Sequence, residues 1–97
     1  MPLTSQQRKA LEQLSHPLRP VVNVGKAGLT EAVSVAADEA LESHELIKVK
    51  FIAFKEERDT LSTQLAESLK AERVARIGNV AILFRQHPDP KKRKYRI

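Results

Sequence analysis

Residues 22–31 read Val-Asn-Val-Gly-Lys-Ala-Gly-Leu-Thr-Glu and contain two of the three glycines in the chain. A short β-branched run leads into these glycines, and a segment with helical periodicity begins just after them. The stretch therefore predicts a strand, a tight loop over residues 25–28 and the start of a helix. Because the first N–H groups of a helix have no partner within it, a glycine loop at that position is suited to binding an anion.

The segment after the loop carries the clearest periodicity in the sequence. Thr30 is a suitable N-cap, and the residues that follow place an apolar stripe on one face of a second helix, made of Val33, Ala36, Ala37, Ala40 and Leu41. Residues 46–54 then alternate, with Lys48 and Lys50 on one face of a strand and apolar residues on the other. This order predicts a right-handed crossover between two parallel strands.

Four further elements complete the predicted fold. A capping-box pattern predicts a first helix over residues 5–14, and leucines spaced by four predict a third helix that ends near Ala71. Strand-like runs over residues 74–77 and 80–84 flank Gly78-Asn79, a two-residue hairpin turn. The fold class is α/β: we expect a compact two-layer domain of order αβαβαββ with a mixed four-stranded sheet.

The charge of the chain is concentrated near its end. The 97 residues carry a formal net charge of +5. Five of the 17 basic side chains but only one of the 12 acidic ones lie in residues 86–97. We therefore divide the sequence into a domain over residues 1–85 and a basic tail over residues 86–97. A positive balance favours a polyanionic partner, although a basic tail can also serve solubility alone.

Several classes of function are disfavoured by what the sequence lacks. It has no cysteine, and His16, His44 and His87 are widely separated, so we expect no metal site. No pair of acid and base groups shares a predicted pocket, so we expect no catalytic residues, no enzyme activity, no cofactor and no small-molecule substrate. The sequence also has no apolar run long enough to span a membrane and no secretory signal pattern. We expect a cytoplasmic monomer.

The loop Gly25-Lys26-Ala27-Gly28 has two interpretations. Glycines three residues apart often mark only a tight turn. They also let a sugar-phosphate backbone approach the peptide, and Lys26 would add a cation. Segregation of charge favours the second interpretation, because Lys48 and Lys50 share a strand face whereas the second helix has an acidic side, made of Glu31, Asp38, Glu42 and Glu45.

Aromatic side chains are scarce in this sequence. Phe51 and Phe84 fall in strand patterns typical of a core, and the position of Phe54 is open. Tyr95 in the basic tail is the only free candidate for stacking on a base. Binding modes that stack several unpaired bases are therefore disfavoured, and recognition of folded RNA through shape and backbone fits better.

Three collinear stretches carry a resemblance to a known family. They are residues 16–30 (HPLRPVVNVGKAGLT), residues 40–50 (ALESHELIKVK) and residues 76–85 (RIGNVAILFR). Together they resemble the YhbY family, bacterial proteins built from one CRM domain, the chloroplast RNA splicing and ribosome maturation module. The resemblance implies an α/β fold similar to the C-terminal domain of bacterial translation initiation factor three. It also implies RNA binding and association with precursors of the large ribosomal subunit.

The resemblance and the charge pattern together nominate the RNA-binding residues. The family's glycine loop corresponds to Gly25, Lys26, Ala27 and Gly28, with Arg19, Lys48 and Lys50 as nearby basic candidates, and charge alone adds Lys91, Lys92, Arg93 and Lys94. We expect a protein that contacts ribosomal RNA through the loop and assists assembly of the large subunit. The alternative is a protein-protein adaptor on ribosomal particles that uses the acidic face of the second helix.

Overall fold

The computed structural model describes residues 3–97. Within that range the chain forms three α-helices and four strands in the predicted order, followed by a 3-10 turn at Pro90–Lys92. The elements are α1 (Ser5–Ser15), β1 (Val22–Val24), α2 (Glu31–His44), β2 (Leu46–Phe51), α3 (Arg58–Ser68), β3 (Glu72–Ile77) and β4 (Val80–Phe84). The α/β class is confirmed.

The four strands form one mixed sheet in the order β1-β2-β4-β3. β1 is parallel to β2, and β4 is antiparallel to both of its neighbours. Ile77 pairs with Val80, so Gly78 and Asn79 make the predicted two-residue turn, and Gly78 has the positive φ of 60° that favours glycine there. The predicted crossover through α2 and the predicted hairpin are both present.

Helices cover both faces of the sheet, which adds a layer to the two that the sequence predicted. α2 and α3 lie on one face, where Ala37, Leu41 and Leu65 join the main core cluster. α1 lies on the other face, where Leu11 packs against Leu46 and Phe84 in a second cluster. The apolar stripe of α1 is short, and its pattern did not indicate which face of the sheet it would cover.

Side-chain caps begin the first two helices as predicted. The Thr4 hydroxyl accepts from the Gln7 N–H at 3.1 Å, and the Gln7 side chain accepts from the Thr4 N–H at 2.9 Å. The Thr30 hydroxyl accepts from the Val33 N–H at 3.2 Å. Each cap satisfies donors that the first helical turn leaves without partners, and it fixes where the preceding loop must end.

β2 ends three residues earlier than the alternating pattern predicted. The N–H groups of Ile52 and Ala53 both donate to the Val24 carbonyl, at 2.9 and 3.3 Å, and so the chain turns after Phe51. Phe54 then has a φ of 56°. The predicted continuation of the strand to residue 54 was wrong, because the alternation of apolar residues carries no information about a bend that hydrogen bonds to a neighbouring strand impose.

The basic tail is packed against the domain through Glu45. This residue follows α2, has a φ of 63°, and is only 1% exposed. Its carboxylate accepts from the backbone N–H groups of His87 at 2.6 Å, of Lys94, and of Tyr95 at 3.3 Å. The Tyr95 ring meets Phe84 edge to face at a centroid distance of 6.4 Å. Burial, with a smaller effect of the Glu45 charge, raises the pKa of the Tyr95 phenol.

We predict that Glu45→Gln loosens the tail. A glutamine offers one acceptor oxygen where the carboxylate uses two, and its amide would face a backbone donor, so the free energy of unfolding should fall by about 1–3 kcal/mol. Urea unfolding would measure that loss, and trypsin should cleave after Lys91 and Lys92 faster than in the parent protein. The matched control is Glu42→Gln, whose side chain is 58% exposed and should cost less than about 1 kcal/mol. Equal effects of the two changes would contradict this account of the tail.

Candidate nucleic-acid interface

The glycine loop forms a closed four-residue turn with an exposed tip. The Gly28 N–H donates to the Gly25 carbonyl at 3.0 Å, and the Thr30 N–H donates to the Gly28 carbonyl at 3.0 Å. Lys26 and Ala27 at the tip are exposed. Within residues 3–97, no hydrogen bond uses the backbone N–H of Lys26 or Ala27. These two donors are available to an anion from outside the chain.

The two glycines of the turn have different roles in its backbone. Gly28 has a φ of 76°, a left-handed backbone conformation that residues other than glycine rarely adopt. Gly25 has no positive φ, and a Cβ built on it would meet no atom within 4 Å. Gly28 is therefore required by the fold of the turn, whereas Gly25 leaves open space beside the exposed tip.

Three connections meet at the end of the sheet that carries this turn. The turn itself follows β1, and the bend at Ile52 and Ala53 is bonded to the Val24 carbonyl. The β3–β4 hairpin joins them, because the Phe51 N–H donates to the Asn79 carbonyl at 2.7 Å. Parallel pairing of β1 with β2 brings the glycine turn and the bend after β2 to one edge, and antiparallel pairing of β2 with β4 brings the hairpin there too.

Glu31 modifies the electrostatics of the α2 N-terminus. It is exposed in the first turn of the helix, where a negative side chain stabilises the helix dipole. The same charge opposes binding of a second anion close by. An anion at this end of the sheet would therefore depend on the turn donors and on the Lys26 ammonium more than on the helix dipole alone.

Phe54 lies beside the glycine turn and is partly exposed. A Cβ placed on Gly28 would lie 3.6 Å from Cε2 and 3.9 Å from Cζ of Phe54, so the ring edge rests against the turn. The residue is 41% exposed, and its left-handed backbone costs about 1–2 kcal/mol. Tyr95, the expected stacking candidate, is instead packed on Phe84. The expectation that Tyr95 is free was wrong, because the tail folds back onto the domain.

The two lysines of β2 differ in their surroundings. Lys48 is half-buried, and its Nζ donates to the His16 carbonyl at 3.5 Å, at the C-terminal end of α1. Lys50 is exposed and pairs across the sheet with Asn23 and Val80, near the glycine turn. We call residues 25–28 together with Lys50 the loop surface. Lys48 supports α1 and lies between this surface and the other end of the sheet.

The remaining basic candidates lie at the opposite end of the sheet. Arg19 precedes β1 and lines one cavity with His44, Lys94 and Tyr95. Lys91, Lys92 and Lys94 are exposed, whereas the Arg93 Nε donates to the His87 carbonyl at 2.7 Å. We call Arg19 and residues 91–94 the tail surface. The structure therefore brings the predicted site residues other than Lys48 together in two groups.

Comparison with known proteins identifies the family. The CRS1/YhbY (CRM) domain model matches residues 3–85. The chain belongs to the CRM domain family. It is 39% identical over 93 residues to a probable RNA-binding protein of Pseudomonas aeruginosa, covering 95% of this chain and 89% of that one. It is 38% identical over 90 residues to an RNA-binding protein of Haemophilus influenzae, covering 92% of this chain and 91% of that one.

A solved structure confirms the CRM fold. The solution structure of a Staphylococcus aureus protein superposes with a TM-score of 0.82 at 30% identity, over 96% of this chain and 98% of that one. The family match ends at Arg85, before residues 91–94 of the tail surface. The alignment with the Pseudomonas aeruginosa relative covers 95% of the chain and therefore extends into the tail.

The described residues contain neither a membrane-spanning helix nor a cluster of metal ligands. Among residues 3–97, no helix has the length and apolar character needed to cross a membrane. The same residues contain no group of three or more histidine, aspartate or glutamate side chains arranged to hold a metal ion.

Arginines and lysines of this CRM domain are used differently. Within residues 3–97, every ion pair involves an arginine or His87, and none involves a lysine. Asp59 pairs with Arg73 at 2.8 Å and with Arg76, and the Arg76 hydrogen bond holds the pKa of Asp59 below its usual value. The lysine charges of the loop and tail surfaces are therefore not offset by a direct carboxylate partner in the described chain.

The acidic side of α2 is partly occupied by its own domain. Arg85 donates to Asp38 at 2.7 Å and lies 3.7 Å from Glu42. The Nε2 of His87 lies 3.1 Å from the Glu42 carboxylate. Sequence reasoning missed these pairs because Arg85 and His87 are more than forty positions away, and no local pattern connects them to α2.

We predict that substitution by alanine destabilises the protein at one glycine of the turn and has little effect at the other. Gly28→Ala should lower the free energy of unfolding by about 1 kcal/mol or more, because alanine resists positive φ. Gly25→Ala should change it by less than about 0.5 kcal/mol, because its backbone is ordinary and its surroundings are open. Urea titrations of both variants beside the parent would measure the difference. A loss at Gly25 as large as that at Gly28 would contradict the turn geometry described above.

Proposed function

We propose that this CRM protein binds RNA through the sugar-phosphate backbone, with the turn of residues 25–28 as the main contact. The observation that carries the proposal is the exposed tip of the turn, whose Lys26 and Ala27 N–H groups have no partner within residues 3–97. A phosphate oxygen is a strong acceptor of hydrogen bonds from such N–H groups, and the Lys26 ammonium would attract the phosphate charge. Gly25 leaves room for a nucleotide to approach the backbone.

Charge on the surface supports a polyanionic ligand. The chain carries a net charge of +5, and its lysines form no ion pairs within the described residues. Binding of RNA by such lysines releases counterions, which makes affinity fall as salt rises. The relatives from Pseudomonas aeruginosa and Haemophilus influenzae, named as RNA-binding proteins, point to the same ligand.

We further propose that the RNA is ribosomal RNA in precursors of the large ribosomal subunit, met in the cytoplasm. This assignment follows from the resemblance of residues 16–30 and 40–50 to YhbY proteins. The proposed role is binding without catalysis: the protein holds a segment of RNA backbone while the surrounding particle assembles. The phosphate contacts would fix the position of the protein on the RNA without reading its sequence.

The adaptor alternative needs a free acidic face on α2. Asp38 and Glu42, the carboxylates on which it depends, already contact Arg85 and His87. A basic partner would have to displace these pairs, which lowers the energy that it could gain. RNA binding at the loop surface requires no such rearrangement, and we therefore favour it.

The role of the loop is tested by a double substitution and a control with the same change of charge elsewhere. We predict that Lys26→Glu together with Ala27→Glu lowers affinity for large-subunit ribosomal RNA fragments at least about tenfold, because both phosphate attraction and donor access are lost. Lys9→Glu with Ala10→Glu makes the same change of charge at exposed positions of α1. Fluorescence anisotropy over a salt series would measure binding, and circular dichroism would verify folding. Equal losses in the two double variants would show a general charge effect and refute the proposed clamp.

The contribution of the tail to RNA binding is tested by neutralising its lysines while its backbone stays in place. Deletion of residues 86–97 would strip three donors from Glu45 and the Tyr95 ring from Phe84, so it would change the fold as well as the charge. We predict that replacing the exposed Lys91, Lys92 and Lys94 by glutamine reduces the slope of log affinity against log salt by about 2, since each phosphate contact contributes about 0.7–0.9. The binding series used for the loop variants would measure the slope. An unchanged slope would show that these tail lysines do not contact RNA.

A further inference from the structure

We propose that Phe54 is a stacking platform for one unpaired base of the RNA that the glycine turn holds by its phosphate. The inference rests on the proposed function and adds a base contact to it. The ligand would be a nucleotide in a single-stranded or bulged segment, whose phosphate meets the turn and whose base lies on the Phe54 ring. Base-aromatic stacking is tolerant of sequence, because every base presents a π face.

Phe54 is the aromatic side chain of this domain that remains open to a ligand. The chain has three phenylalanines, one tyrosine and no tryptophan. Phe51 and Phe84 are buried in the two core clusters, and Tyr95 is packed on Phe84. Phe54, in contrast, is 41% exposed although burial in the core would be favourable for so large an apolar ring.

The ring is held where a nucleotide on the turn would pass. Its Cε2 and Cζ atoms rest against Gly28, and the preceding residues Ile52 and Ala53 are bonded to Val24, which ends the strand before the turn. The Phe54 carbonyl also accepts from the Glu57 N–H at 3.1 Å. A platform fixed on both sides loses little conformational freedom when a base stacks on it.

The surroundings favour a nucleotide over a peptide as the occupant. The phosphate donors at Lys26 and Ala27 belong to the same turn that the ring touches. Exposed lysines at positions 26, 50 and 55 lie on the elements that converge at this edge. An apolar peptide would use the ring but leave these charges without partners, whereas a nucleotide has both a flat base and an anionic phosphate.

The first test uses the absence of tryptophan from the chain. Phe54→Trp gives the protein its one tryptophan. If a base stacks on this ring, a short oligoadenylate should strongly quench the tryptophan fluorescence. An abasic ribose-phosphate chain of the same length should bind at the turn and leave the fluorescence nearly unchanged. Equal quenching by the two ligands, or no quenching by oligoadenylate at concentrations that saturate binding, would overturn the inference.

The second test compares affinities. Phe54→Leu keeps an apolar side chain but removes the π face, and it should weaken oligoadenylate binding at least about fivefold while leaving abasic binding within about twofold. Ile52→Ala is the matched control, because Ile52 is 57% exposed on the same bend and should affect neither ligand. An equal loss for both ligands in Phe54→Leu would show that the ring only shapes the turn, and would overturn the inference.

These outcomes separate the inference from the proposed function. If Phe54 does not stack but the Lys26 and Ala27 double variant still loses binding of both ligands, the phosphate clamp stands and the base platform falls. If that double variant binds both ligands as the parent does, the clamp itself falls. Should Phe54→Leu fail to fold, the fluorescence of Phe54→Trp decides the question alone, since tryptophan retains a large planar ring at this position.

Discussion

The parallel pairing of β1 with β2 is the constraint on which the rest of the structure depends. Val22 lies opposite Val49 and Val24 lies opposite Phe51. Two adjacent parallel strands need a crossover, and α2 provides it, so the chain must turn into a helix at the end of β1. The glycine turn occupies that position. The Val24 carbonyl then accepts two N–H groups from the bend after β2 and brings Phe54 against Gly28.

The division of labour between arginine and lysine follows from their chemistry. A planar guanidinium can satisfy several acceptors at once, and Arg85 does so by bonding Asp38 at 2.7 Å and the Leu69 carbonyl at 2.9 Å. It thereby ties α2 to the end of α3. A lysine ammonium gains less from such fixed geometry and remains strongly hydrated at the surface. The ion-paired arginines therefore stabilise the domain, whereas the exposed lysines of the loop and tail surfaces carry charges whose attraction for a polyanion weakens as the salt concentration rises.

Much of this fold follows from local patterns, and its main surprises come from distant contacts. Periodicity and caps predicted the helices, because Thr4 and Thr30 act on donors three residues away. The glycine turn was predictable for the same reason. The end of β2 was not predictable, because it is set by hydrogen bonds to the Val24 carbonyl. The burial of Glu45 was not predictable either, because its partners are backbone donors between residues 87 and 95. The role of each candidate in RNA binding stays a prediction.

The anchored tail changes how its charge would act. As a flexible arm, residues 91–94 would lose conformational freedom on meeting RNA, and that loss would subtract from the affinity. Glu45 instead orders the backbone of Lys94 and Tyr95 in the folded protein. The loss of conformational freedom in the tail is therefore offset when the domain folds, because hydrogen bonds within the protein order this backbone before any RNA binds. Since the turn is also closed by its own hydrogen bond between Gly28 and Gly25, both proposed contacts are preformed at opposite ends of one rigid sheet. An RNA that meets both must be shaped to span the domain, which favours folded RNA over a disordered strand.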